Sequence, residues 1–444
     1  MKRAVLFLLL NLTICAIYAQ SQPVSQRLDA LLNDEILKTS EVGITVFDLT
    51  TGESLYRYQD EKLYRPASIE KVITSVTALA RLGADYTMDT HLRYTGKIEN
   101  DTLKGNLYLI GGFDPELMDE DLDSLVAAVE AQGIRYVTDT IAADVSMTDS
   151  VYWGPGWSWD DTPYSFQPYL SPLMLNRGCV DVSVSPAQKD SLPTVRCTPV
   201  SDYYRVCNRA VSRNPQAGKL EITRNWLSNG NVITVSGNVS RPYTGQVNIY
   251  TSKDFFFHTF IQRLKEKGIT SGVHTYADCP VIHDSIATES MFYHLAAQHA
   301  PHHRVTADDG TDAIADFMKT VLGFNPDNYK IVDGSGVSLY NYISPRLLLE
   351  YLKYAYYHRD IFLPLYDALP IAGVDGTLQY RMKQTKARGN VRAKTGSVTG
   401  VSSLAGYVKG ADGHQLAFVI INQNVLKLSR ARVFQDKVCD ILSR

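Results

Sequence analysis

The chain has 444 residues, 45% hydrophobic and 20% charged, with 44 Lys and Arg set against 47 Asp and Glu for a formal net charge of −3. At about 150 residues per domain, that length predicts roughly three units or one large unit with insertions, and the composition excludes a disordered chain. The near-neutral balance argues against a dedicated nucleic-acid binder, and 29 Gly and 18 Pro with no fixed-period repeat exclude collagen-like and low-complexity classes.

In chain order, Met1-Lys2-Arg3 is a short basic start, followed by an almost wholly apolar run to Ala19 and a polar Gln20-Ser21-Gln22-Pro23. Residues 1–19 are therefore predicted to be a secretory signal cut after Ala19. The rival is a retained anchor, but the apolar run is short of the roughly 20 residues a span needs, which favours removal. The residues before Cys15 lack the small side chain expected ahead of a lipidated cysteine. Localisation is accordingly expected to be periplasmic or on the outer face of the cell envelope, with no transmembrane span in the mature chain.

Residues 24–41 read as helix, and 42–58 alternate as a hairpin with Thr51-Gly52 at the turn. Tyr64-Arg65-Pro66 breaks the chain. Ala67 to Leu82 follows as a helix ended by Gly83, with Ile69, Val72, Ile73, Val76, Leu79 and Ala80 on its apolar side. From about 88 to 251 short strands and turns dominate, interrupted by one helical stretch at roughly 120–133. Helices return at 252, and the chain ends as three strands (VRAKTGS, VSSLAGYVKG, HQLAFVIINQN) and a helix. Helix and strand at both ends around a foreign middle predict one α/β domain, residues 20–87 with 252–444, split by a strand-rich insertion at 88–251.

Export exposes cysteines to oxidation. Without Cys15 five remain, Cys179, Cys197, Cys207, Cys279 and Cys439, an odd set that cannot all pair within one chain. Cys197 and Cys207 are near enough in sequence for a small bridge, though spacing alone does not establish one. There is no CxxC or His-x3-His spacing, and His302-His303 is a lone adjacent pair, so neither a metal site nor a cofactor is expected.

Two motifs carry chemistry. Ser68-Ile69-Glu70-Lys71 sets an amine one helical turn from a hydroxyl. Serine needs a base to become a nucleophile, and a desolvated lysine neutral near pH 7 can be that base. Taken alone, an exposed Ser and Lys on a solvated face is the commoner outcome of such spacing. Lys394-Thr395-Gly396-Ser397 opens a late strand: Lys394 and Thr395 can hold a carboxylate, and Gly396 permits close backbone approach. The bland alternative is a strand end with a charged cap. That alternative weakens because the two motifs fall in the two segments assigned to one split domain.

S-x-x-K early and K-T-G late mark penicillin-binding proteins and serine β-lactamases. The chain further resembles the D-alanyl-D-alanine carboxypeptidase/endopeptidase family, the low-molecular-mass class C penicillin-binding proteins of peptidase family S13. PASIEKVITSVTAL, GNLYLIGGFDPEL, GPGWSWDDTPYSFQPYLSPLMLN, IVDGSGVSLYNYISP, LPIAGVDGTLQYR and VRAKTGSVTGVSSLAGYV carry the likeness over nearly the whole mature chain. The resemblance implies a β-lactamase/transpeptidase-like α/β (α+β) domain whose insertion contains a nested small β domain, about 175–245. It implies that Ser68 is acylated with Lys71 as base, and that Lys394, Thr395 and Gly396 bind a substrate ending in D-Ala-D-Ala. The N–H groups of Ser68 and Ser397 would form the oxyanion hole, and Asp161 or its neighbour Asp160 would recognise the amine of the stem peptide's diamino acid. Expected partners are peptidoglycan peptides and β-lactams.

One departure matters. The family carries an S-x-N motif shortly before a helix matched by Thr288-Glu289-Ser290-Met291-Phe292, yet His283-Asp284-Ser285 stands there, in a shortened stretch. Ser212-Arg213-Asn214 and Ser236-Gly237-Asn238 match only within the insertion, where turns are expected. His283 or Ser285 is the expected substitute. An active D,D-peptidase and a catalytically impaired homologue that binds wall peptides are thus both consistent with the sequence, with a β-lactamase as a third idea.

Overall fold

The computed structural model describes residues 23–278 and 306–444. The chain divides into two compact units, Met1–Asp85 with Thr311–Arg444, and Tyr86–Gly310.

The first unit is built on a five-stranded antiparallel sheet in the order Arg392–Val398, Val401–Lys409, Gln415–Gln423, Glu41–Asp48, Glu53–Tyr58. Side chains alternate across a strand, so the central strands bury both faces. On one face Val42, Ile44, Val46, Leu404, Val408, Phe418 and Ile420 form a core with Leu28 of the helix Val24–Leu31 and with Ala431, Phe434 and Val438 of Leu428–Leu442. Residues of opposite parity point the other way: the Tyr407 hydroxyl donates to the Leu352 carbonyl of the helix Pro345–Tyr357 at 2.8 Å, and the Ser403 hydroxyl donates to the Pro66 carbonyl at 2.6 Å.

The hairpin falls where its alternation put it. The N-terminal helix stops at Leu31 and a 3-10 turn, Glu35–Lys38, follows, because Asp34 accepts from the Ile36 N–H at 3.2 Å and restarts the chain. Arg359–Ala368 is a helix that sequence reading passed over, since Pro364 lies inside it.

The second unit holds a six-stranded sheet and two three-stranded sheets. The smaller sheets use strands between Cys179 and Asn248. Residues beyond 251 also contribute: the helix Ser252–Glu266 buries Phe255, Phe256 and Phe260 in this unit's core, and Thr270–Tyr276 pairs in parallel with Tyr136–Asp144. The boundary expected at 251/252 therefore differs from the compact unit, because the phenylalanines of this helix complete the insertion's interior. Ser236–Asn238, expected as a turn, lies inside the strand Val232–Val239, where Gly237 takes φ +86°. Cys197 and Cys207 sit on strands of different sheets, and both are free thiols, as are Cys179 and Cys439. Among the described residues no helix is long and apolar enough to cross a membrane, and no cluster of His, Cys, Asp or Glu could hold a metal ion.

Candidate active site

The nucleophile motif begins in a 3-10 turn, Ala67–Ile69, which runs into the α-helix Glu70–Leu82. Ala67 takes φ +52°, a backbone conformation uncommon outside glycine, which sets Ser68 at a sharp entry to the helix. Ile69, Val72, Ile73 and Val76 are buried, as their spacing predicts, while Leu79 and Ala80 are half-buried. Ser68 and Lys71 remain half-buried on another side, and the Lys71 Nζ lies 3.2 Å from the Ser68 Oγ.

The strand Arg392–Val398 lies along the nucleophile turn. At Gly396 a Cβ would meet the Ser403 Oγ at 2.1 Å, the Pro66 carbonyl oxygen at 2.8 Å and the Ser68 backbone nitrogen at 3.0 Å. The glycine is thus what lets the strand come this close. On the same strand Lys394 donates to the Thr395 carbonyl at 2.8 Å, and the Thr395 hydroxyl donates to the Thr377 Oγ1 at 2.9 Å. Arg432 donates to the exposed Ser397 hydroxyl at 3.3 Å.

Two lysines in one confined place repel each other. Burial, and then the Lys71 charge, pulls Lys394 down to about 8. Burial also lowers Lys71, against the opposing pull of the Asp333 and Glu70 carboxyls. Each amine is easier to deprotonate than an ordinary lysine. For Lys71 that easier deprotonation falls on an amine 3.2 Å from the Ser68 hydroxyl.

Several participants carried no motif signal. Lys71 also donates to the Ser335 carbonyl at 2.5 Å, a backbone acceptor no side-chain pattern reveals. Glu70, between the two motif residues, is fully buried, its oxygens have no hydrogen-bond partner among the described residues, and burial raises its carboxyl well above the usual range. Ser403 was hidden in an apolar strand.

Asp161 belongs to the second unit, in the 3-10 turn Trp159–Asp161, where burial and then Asp160 raise its carboxyl. Ser212–Asn214 and Ser236–Asn238 are in that unit as well. His283 and Ser285, the helix matched at 288–292, Cys279, the His302-His303 pair and the leader at 1–19 lie outside the described residues.

A five-stranded antiparallel sheet with helices on both faces, its edge strand beside the turn that carries Ser68, and a second unit drawn from the middle of the chain is a penicillin-binding-protein and β-lactamase/transpeptidase-like fold. The chain belongs to the D-Ala-D-Ala carboxypeptidase 3 (S13) family, which it matches over residues 24–277 and 283–444. It is 31% identical over 443 residues to a D-alanyl-D-alanine carboxypeptidase of Actinomadura sp. (strain R39), covering 91% of this chain and 81% of that one. It is 27% identical over 420 residues to the D-alanyl-D-alanine carboxypeptidase DacB of Haemophilus influenzae, covering 87% and 86%. The crystal structure of penicillin binding protein 4 (dacB) from Haemophilus influenzae superposes with a TM-score of 0.76 at 24% identity, covering 93% of this chain and 97% of that one.

Proposed function

We propose that the protein is a serine-type D-Ala-D-Ala carboxypeptidase and endopeptidase that acts on peptidoglycan stem peptides through an acyl-enzyme on Ser68. The observation that carries this reading is the desolvated Lys71 amine 3.2 Å from the Ser68 hydroxyl. Ser68 Oγ attacks the carbonyl carbon of the penultimate D-Ala while its proton passes to Lys71 Nζ. The N–H groups of Ser68 and Ser397 receive the developing oxyanion. The C–N bond then breaks, the departing amine takes a proton, and water hydrolyses the ester to free Ser68. Lys394, Thr395 and Gly396 hold the terminal carboxylate and the extended peptide beside the nucleophile, and Asp161 recognises the amine of the diamino-acid side chain. β-Lactams acylate Ser68 by the same route. Residues 1–19 direct the chain out of the cytoplasm and are removed, leaving it in the periplasm or on the outer face of the envelope. The outer domain carries the chemistry and the strand-rich insertion forms a separate domain.

A second reading is favoured by one feature of the sequence: no S-x-N stands in the stretch from Tyr276 to Thr288, just before the matched helix. Losing a proton relay to the leaving group costs on the order of 10²–10⁴ in rate, so the protein would acylate and bind wall peptides while turning over poorly. His283 and Ser285 are the proposed substitutes. A fluorescent penicillin tests acylation. A stable adduct on the wild type, absent from Ser68→Ala, supports the serine route, and folded wild type that forms no adduct removes it. Turnover of a peptide ending in D-Ala-D-Ala then separates active from impaired, and nitrocefin hydrolysis would instead mark a β-lactamase.

A further inference from the structure

A loop from Lys330 to Ile343, which the mechanism above leaves unused, closes over the nucleophile helix. Its ends are joined by two backbone bonds between Lys330 and Tyr342, at 2.9 and 2.6 Å. It is tied to the nucleophile segment by Tyr64 and Ile343 bonding each other at 2.8 and 3.0 Å, by Arg65 Nε on the Leu339 carbonyl at 2.9 Å, and by Thr74 Oγ1 on the Gly334 carbonyl at 2.6 Å. Gly336, at φ +74°, lets the loop touch down: a Cβ there would lie 2.0 Å from the Ala67 carbonyl oxygen.

The interior of the loop is organised by one carboxylate. Asp333 Oδ1 accepts from the Ser335 N–H at 3.0 Å, the Gly336 N–H at 2.7 Å and Asn341 Nδ2 at 3.0 Å. Its Oδ2 accepts from the Ser338 N–H at 2.9 Å and the Ser335 hydroxyl at 3.1 Å. Asn341 locks the other side, its Oδ1 accepting from the Val332 N–H at 2.7 Å and its Nδ2 donating to the Asp333 carbonyl at 3.1 Å.

We propose that Asp333 is a positioning residue for the reaction at Ser68, folding this loop so that the Ser335 carbonyl meets the Lys71 amine. The proposal rests on the reading of Lys71 as the base. A carbonyl only accepts, so it fixes one N–H of Lys71 in either protonation state. The electron pair of the neutral amine is then free to point at the Ser68 Oγ–H. When the proton arrives, the new ammonium already has an acceptor and a nearby anion, which costs no reorganisation. The groups facing Lys71 are Ser68, the Ser335 carbonyl, the carboxyls of Glu70 and Asp333, and the Lys394 amine on the neighbouring strand. Of the two carboxyls that oppose the desolvation of Lys71, Asp333 exerts the stronger pull and Glu70 the weaker.

The test is the rate of acylation by a fluorescent penicillin from about pH 5 to about pH 10, with thermal midpoints recorded for each variant. Asp333 is one of the carboxyls whose pull raises Lys71, and removing a close opposite charge moves a pKa by about one unit or more. Asp333→Asn should therefore shift the acid limb of the profile to lower pH by about one unit and lower the maximal rate. Ser335→Ala keeps the carbonyl and should leave the limb in place. Asn341→Ala keeps the charge but loosens the loop, and should lower the maximal rate about ten- to a hundredfold without moving the limb. A folded Asp333→Asn whose limb superposes on the wild type overturns the proposal, as does a Ser335→Ala limb shifted equally far. Should Asp333→Asn fail to fold, an unchanged maximal rate in folded Asn341→Ala overturns it. Wild type that forms no adduct removes the reading of Ser68, and this proposal with it.

Discussion

Gly396→Ala tests how closely the late strand must approach the nucleophile. The added methyl would sit 2.1 Å from the Ser403 Oγ and must retreat by about 0.9 Å to reach even 3.0 Å, the shortest distance real Cβ atoms show. If Ser403 rotates away, it abandons its 2.6 Å bond to the Pro66 carbonyl. An unpaired buried acceptor costs about 1–3 kcal/mol. If the strand moves instead, the Ser397 N–H shifts relative to the Ser68 N–H, 3.0 Å from the same methyl. A misplacement of about 1 Å in a reacting constellation costs on the order of 10²-fold. The expected outcome is a loss of about 1–3 kcal/mol in denaturant unfolding, and acylation by a fluorescent penicillin slowed about 10²-fold. Adding Ser403→Gly removes the worst contact but leaves the Pro66 oxygen at 2.8 Å, so the double variant should recover only part of the rate. Wild-type acylation by folded Gly396→Ala would show that the strand is not the site's second wall.

Two further changes probe the buried charges. Lys394→Met should raise KM for peptides ending in a free D-Ala carboxylate and spare amidated ends, and equal losses on both would refute carboxylate anchoring. Because Lys394 is depressed to about 8, against about 10.4 for an unfolded lysine, the unfolded chain binds the extra proton in that window and wild-type stability rises with pH across it. Urea unfolding of Lys394→Met should lack that rise. Glu70 works with the opposite sign, since its folded carboxyl is raised above the unfolded value of about 4.3, so the native state holds the extra proton and stability falls as pH climbs beyond that value. Glu70→Gln should remove this fall, and unfolding curves at pH 5 and 8 that show no relative gain for the variant at the higher pH would refute a buried neutral acid.

The residues that could be read in advance were those whose chemistry is written in side-chain spacing. Ser68 and Lys71 are one helical turn apart, and Lys394 to Gly396 open a strand between turn residues, so each pattern survives without the fold. What escaped detection acts through backbone or through burial. Asp333 heads an Asp-Gly-Ser-Gly run that is ordinary turn chemistry, and its several backbone acceptances follow from that, yet nothing local indicates that the Ser335 carbonyl meets a lysine 264 residues earlier. Glu70 opens the helix after the Ser68 turn, and its burial follows from the elements that close over it, the Gly336 loop among them. The helix Ser252–Glu266 carries three successive phenylalanines, Phe255 to Phe257, and such an apolar run does not say by itself which core it will fill.

The pairing of Glu41–Asp48 with Gln415–Gln423 has a consequence for biogenesis. The first strand can pair with Glu53–Tyr58 as soon as both are made, but its other neighbour, Gln415–Gln423, lies more than 360 residues further on, whereas among the described residues the second unit's sheets draw on strands up to Tyr276. Contacts so distant along the chain form late and slowly. A chain cut short before Gln415 would therefore keep the strands of the second unit and the Ser68 turn while lacking the strand Gln415–Gln423 that joins Glu41–Asp48 to Val401–Lys409, so the sheet beside that turn depends on its most distant segment.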